Sequence, residues 1–285
     1  MTCELHTRPV QGAERGEHLC GLHSDPHGRA RLVQAFAAAA LGAGDRLLYL
    51  CAHADGRTRV GRTLEGAVPD AAAMLRNGQI VVLRPRPADA PDAGRLPQRM
   101  AAMLRTQADR ARADGYPGLR VTAEMDGVLE RCGSVDELLR LEHLCADQMR
   151  RCGIIGLCQY GRPAIRAATL ARIAAAHSGV ARDDGRRPLA LLVTVAHGGG
   201  LRVEGEVDRS NAHLLAAALR SRAAVEDPLC VDLSALGFVD LSGIRAIREV
   251  ADEGDVRILV AGMSATGRRI ADLAGEWSAN VEVVR

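Results

Sequence analysis

Three groups of residues in this chain carry side chains able to do chemistry. The first is Asp240-Leu241-Ser242-Gly243, a carboxylate and a hydroxyl two residues apart, followed by a glycine. Leu229 to Leu233 suits an apolar strand, and a turn through Ser234 and Gly237 leads to the apolar pair Phe238-Val239. Beyond the motif, Ile244, Ile247 and Val250 recur at helical spacing. Asp240 and Ser242 therefore fall where a strand hands over to a helix. The first N–H groups of a helix have no internal partner, and its macrodipole favours anions there. Asp and Ser at such a position commonly cap the helix. A serine hydroxyl there can also be exposed to another protein's active site, but the residues alone favour the cap.

The second group is His18 and Cys20 with Glu124. His18 and Cys20 are two apart on an expected strand, Glu17 to Leu22, so both side chains share one face. Glu124 closes another expected strand, Leu119 to Glu124. In parallel sheets ligands gather outside the carboxyl ends of strands, which makes these three the candidate ligand-binding residues of the N-terminal part. Glu124 serves equally well as the cap of the following turn. The third group is Cys145, Cys152 and Cys158 with His143 nearby. No close C-x-x-C pair occurs, and a thiol buried among apolar residues stays protonated, so packing is expected here and no metal. The eight cysteines are expected to be free thiols of a cytoplasmic protein.

The elements that must position these residues alternate. Gly28 to Leu41 reads as a helix, Arg46 to Cys51 as a buried strand, Gly61 to Leu75 as a weak helix and Gln79 to Leu83 as a strand. Pro85 to Pro97 is a loop rich in proline, alanine and aspartate, followed by a helix from Leu96 to Asp114. Ser134, with Glu137 three residues on, opens a helix reaching about Met149. Ile154 to Tyr160 is the next strand and Pro163 to Ala176 a last helix. Strands alternating with long helices imply an α/β fold with a mostly parallel sheet covered on both faces. Residues 1–16 read as a flexible N-terminus, and 178–188, charged and holding Asp183-Asp184-Gly185-Arg186-Arg187, as a linker to a smaller C-terminal domain. Gly198-Gly199-Gly200 lies between two strand-like runs and reads as a hairpin turn.

Composition narrows the functions further. A length of 285 residues suits two domains. Aromatic residues make up 2% of the chain, so alanine, valine and leucine must fill the cores. A formal charge of +2 gives no electrostatic reason to expect nucleic acid or an anionic membrane as partner. Every basic residue is arginine, which excludes a P-loop lysine, a Schiff-base lysine and a lysine general base. No G-x-S-x-G, H-E-x-x-H or strand-linked G-x-G-x-x-G appears, so catalysis and a cofactor are not expected. No apolar run approaches membrane-spanning length, and Met1 to Glu17 lacks the apolar core of a signal peptide.

From about Leu189 to Arg285, three segments follow one another: LRVEGEVDRSNAHLLAAAL, LCVDLSALGFVDLSGIRAI and VRILVAGMSATGRRIADLAG. In order and spacing they resemble a STAS domain of the anti-sigma factor antagonists. In that family the serine before the glycine of an Asp-Ser-(Ser/Thr)-Gly motif is phosphorylated by a partner anti-sigma kinase. The matching position is Ser242, with Leu241 where the family often has Ser. Asp208 in the first loop, Asp240 and Gly243 then belong to the expected partner-binding region. His18-Leu19-Cys20, RLLYLC, LRVTAEMDG and IIGLCQYGR, within 17–177, resemble a MEDS sensory domain, which implies a RecA- or KaiC-like core and a small-molecule ligand.

The expectation is therefore a signalling protein with an anti-sigma factor serine kinase as partner, a small ligand in the first domain, and a second copy of the chain as a further partner. Two alternatives stand beside it: a ligand-binding scaffold never phosphorylated at Ser242, and an α/β enzyme acting on a nucleotide or small metabolite.

Overall fold

The computed structural model describes residues 10–51, 53–84, 96–161, 165–182, 191–196 and 199–284. In the first half, β-rich and helical runs alternate as β1 (His18–His23), α1 (Pro26–Gly42), β2 (Arg46–Leu50), α2 (Gly56–Leu64), α3 (Ala71–Asn77) and β3 (Ile80–Leu83). Then come α4 (Leu96–Ala113), β4 (Leu119–Glu124), α5 (Asp126–Cys132), α6 (Val135–Cys152) and β5 (Ile155–Gly161). A short strand, β6 (Gly179–Arg182), completes a six-stranded sheet in the order β3-β2-β4-β5-β1-β6, with every pairing parallel. The central strands β1, β4 and β5 are buried along their whole length, as expected of a parallel sheet covered on both faces. Leu19, Leu47, Tyr49 and Leu157 pack with Phe36, Val60 and Leu64 under α1 and α2, while α4 and α6 pack together on the opposite face.

Local chemistry fixes the helix ends. The Asp25 carboxylate accepts from Gly28 N at 2.7 Å and Pro26 starts α1, so this helix begins two residues before the Gly28 expected. Ser134 Oγ accepts from Glu137 N at 3.1 Å at the start of α6, and Gly153, in the left-handed region at φ 64°, ends it. The weak helix expected over Gly61 to Leu75 is two helices. Gly66 at φ 77° and Asp70 at φ 56° break the chain between α2 and α3.

Two boundary expectations are corrected. Val10–Gly12 is a 3-10 turn with Val10 and Ala13 buried in the α1 core, so only residues 1–9 of the expected loose end lie outside the described residues. Gly179–Arg182, expected in the linker, is β6, paired with Leu19 to Leu22 of β1, with Val180 and Ala181 buried. The rest of that linker, 183–188, lies outside the described residues, as do 189–190, 85–95 of the loop expected before α4, and Cys3.

Described residues up to 161, with 179–182, form one unit; 165–178 with 191–284 form the other. The second contains α7 (Ala167–Ala174), β7 (Leu191–Val195), β8 (Leu201–Val207), α8 (Ala212–Ala223), β9 (Leu229–Val239), α9 (Leu241–Gly254), β10 (Ile258–Ala261), α10 (Ala265–Ala274) and β11 (Val281–Val283). Its sheet runs β11-β10-β9-β8-β7, antiparallel only between β7 and β8. Gly199 and Gly200, both at positive φ, turn that hairpin. The turn expected through Ser234 and Gly237 is absent: β9 runs unbroken to Val239 and absorbs the extra residues as register shifts against β8. No helix among the described residues is long and apolar enough to cross a membrane.

Candidate functional site

In the first unit, the chain leaves β2 toward β3 on one side and β4 toward β5 on the other, so their carboxyl ends flank a topological switch point. Glu124, the last residue of β4, stands there, 8% exposed. Its carboxylate accepts from Tyr49 OH at 3.0 Å, and Cys51 Sγ lies 3.5 Å from its other oxygen. Arg29 Nη1 of α1 approaches it to 3.5 Å and His53 Nε2 to 3.9 Å. A cavity of about 260 Å³ opens beside it, lined by Arg29, Tyr49, Asp55, Arg59, Arg62 and Glu124 among others. Burial, and after it the charge of Glu124, push the Tyr49 phenol well above its ordinary value, so Tyr49 is a neutral donor. Burial likewise raises the Cys51 thiol.

His18 and Cys20 are placed elsewhere. The strand carries on through Gly21, Leu22 and His23, so His18 opens β1 and Cys20 sits in its middle, both buried; neither lies at the carboxyl end. The register pairs His18 with Gly156 and Cys20 with Cys158, and these side chains point to the α6 face, away from Glu124. There Glu142 of α6, fully buried, meets His18, Cys158 and Tyr160. Burial first, then the charge of Glu142, raise the thiols of Cys20, Cys145 and Cys158. The seven described cysteines are all free. The sequence signal for this cluster is Glu142 itself, a carboxylate interrupting the buried stripe Leu138, Glu142, Cys145, Met149 at helical spacing. For the cavity only Glu124 gives a signal, as a strand-end carboxylate; Arg29, Tyr49 and Arg59 join it only through the strand order.

In the second unit, Asp240 is the N-cap of α9. Its Oδ1 accepts from Ser242 N at 2.7 Å and Gly243 N at 3.1 Å, and its Oδ2 from Arg209 N at 3.2 Å. Asp240 N donates to Val207 O at 3.0 Å, so the loop after β8 is tied to the start of α9. Asp208 lies in that loop, exposed, its carboxylate accepting from Ser210 N at 2.7 Å and Ser210 Oγ at 2.5 Å. The Ser210 hydroxyl and amide hold it below the ordinary carboxylate value. Ser242, in the first turn, is partly exposed, and its hydroxyl makes no hydrogen bond among the described residues. Gly243 is buried: a Cβ there would stand 2.6 Å from Val207 Cγ1 and 2.8 Å from Val239 Cγ2, so this glycine seats α9 on β8 and β9. Phe238, two residues before the cap, is 49% exposed, and strand alternation buries Val239 beside it.

A family model described as MEDS, the methanogen/methylotroph, DcmR sensory domain, matches residues 17–178, more than half of the chain. A second, described as Mlab, STAS domain, matches residues 192–276. No curated protein matches the chain.

Proposed function

The chain belongs to the MEDS family of sensory domains, and on that premise we propose that it is a two-part regulator without turnover of its own. A MEDS domain points to sensing, and a STAS domain to a regulatory role of the anti-sigma factor antagonist kind. The first domain takes a small ligand in the cavity beside Glu124. Three guanidiniums, Arg29, Arg59 and Arg62, favour an anionic group on that ligand, while Glu124 accepts a hydrogen bond from it. The STAS domain docks on an anti-sigma factor with serine-kinase activity, and Ser242 is the acceptor. Its oxygen bonds the γ-phosphorus of ATP, the bond to the β-phosphate oxygen breaks, the hydroxyl proton is lost and ADP leaves.

The observation that carries this reading is Ser242: a partly exposed residue in the first turn of a helix, its hydroxyl without a hydrogen bond among the described residues, on an element tied to the loop of Asp208 through Asp240 and Val207. Phosphorylation adds a charge of about −1.5 to −2 beside two carboxylates, so an acidic or apolar partner surface is repelled and released. The test is intact mass after incubation with the cognate kinase and ATP. One added phosphoryl group on the wild type and none on Ser242→Ala supports the reading; phosphate on both variants, or on neither, overturns it.

One observation favours a second reading, an unphosphorylated scaffold. Asp240 already occupies the amides of Ser242 and Gly243, which a phosphate on Ser242 would otherwise use. In that case Ser242→Asp leaves partner binding unchanged, whereas under the switch it weakens binding.

A further inference from the structure

On the α6 face of the first sheet, Nε2 of His18, Oε2 of Glu142 and Sγ of Cys158, three donor atoms of different chemistry, lie against one another. Nε2 lies 3.1 Å from Sγ and 3.4 Å from Oε2, and Sγ lies 3.5 Å from Oε2. Tetrahedral zinc, at about 2.0–2.2 Å from nitrogen or oxygen and about 2.3 Å from thiolate, sets its ligands about 3.3–3.6 Å apart. The triangle already has nearly those edges. From this we infer that His18, Glu142 and Cys158 form a binding site for a divalent transition metal, zinc first among them.

The surroundings suit the assignment. All three side chains are at most 5% exposed, and Glu142 is wholly buried. The imidazole and thiolate donors favour zinc, iron or copper over magnesium or calcium. Tyr160 OH bonds Glu142 Oε1, which turns Oε2 toward His18 and Cys158, as outer partners orient metal ligands. Gly156, paired with His18, makes room for the ring: a Cβ there would stand 3.1 Å from His18 Cδ2 and 2.4 Å from Met149 Sδ. The spacing of these ligands along the chain, a histidine on β1, a glutamate on α6 and a cysteine on β5, matches no short zinc motif, which is why the sequence does not announce them. Binding requires loss of the Cys158 proton to solvent and a neutral His18, so uptake releases protons. The inference does not depend on the sensory or phosphorylation readings above.

The test uses the full chain, stripped with a chelator and titrated with cobalt(II). Stoichiometric uptake with a thiolate-to-cobalt charge-transfer band is expected in the wild type and in Cys51→Ser and Cys230→Ser. Cys158→Ser should lose the band, and His18→Ala should bind at least about tenfold more weakly. No stoichiometric uptake, or a charge-transfer band that survives in Cys158→Ser, overturns the inference. Should either variant fail to fold, X-ray absorption of the zinc-loaded wild type decides. A single sulfur with lighter donors supports the site; a shell without sulfur, or with several, refutes it.

Discussion

Asp208 and Asp240 are both acidic residues beside Ser242, yet they do different work. Asp240 spends its carboxylate on three backbone amides, whereas Asp208 holds Ser210 and stays open to solvent. Because Ser210 holds Asp208 below the ordinary carboxylate value, its charged form is favoured by folding. The stability this gives is present above that ordinary value and lost as the pH falls through the lower folded one. Asp208→Asn should therefore melt below the wild type at neutral pH, and the two melting temperatures should draw together only in acid, below the ordinary carboxylate value. A gap that persists in acid would mean that the turn, not the charge, carries the effect. At the other site, burial leads in raising the Cys51 thiol, and the charge of Glu124 adds to it. Glu124→Gln should make Cys51 react with iodoacetamide several-fold faster at about pH 8, read by peptide mass, with Cys230 as the unchanged control. Ser242, Asp240 and Glu124 were legible from the sequence because a change of hydrophobic period marks a strand end. Tyr49, Arg29 and Glu142 were not, since each joins its partners across more than one element.

Among the elements, α9 shows how closely a helix can be set by one missing atom. Its first turn rests on Val207 and Val239 where Gly243 has no side chain. Gly243→Ala forces the helix off both valines and should cost about 1–3 kcal/mol in urea unfolding, with the start of α9 the first region to lose hydrogen-exchange protection. Less than that would mean the strand ends give way easily. The alternation of strands and helices in the first sheet followed from sequence, since short runs such as Leu119 to Glu124 and Ile154 to Tyr160 have the length of strands and the helices have caps. Two features did not. The break between α2 and α3 depends on Asp70 adopting φ 56°, rare for a residue with a side chain. The unbroken β9 depends on β8 accepting register shifts, which local turn signals at Ser234 and Gly237 cannot reveal.

At the scale of the whole chain, the boundary between the units is not a single point. α7 packs on α8 and β7, and Ala175 enters the same core as Val193 and Leu219. The backbone of His177 also accepts from Val195 N at 2.7 Å. A fragment of residues 165–285 should consequently melt above one of residues 191–285 by a margin visible in calorimetry; equal melting temperatures would show α7 to be dispensable. A charged, glycine-containing stretch reads as a linker in sequence because composition reports solvation, and the four residues of β6 are too few to show a period.

The same strand has a consequence for how such a chain can be assembled or taken apart. The polypeptide leaves the first sheet after β5, gives α7 to the second fold, then comes back to lay β6 along β1 before departing again. Gene fusion at a lone breakpoint would hand one module a helix or deny the other its border strand, so the two halves have to be inherited, and transplanted, as a stitched pair.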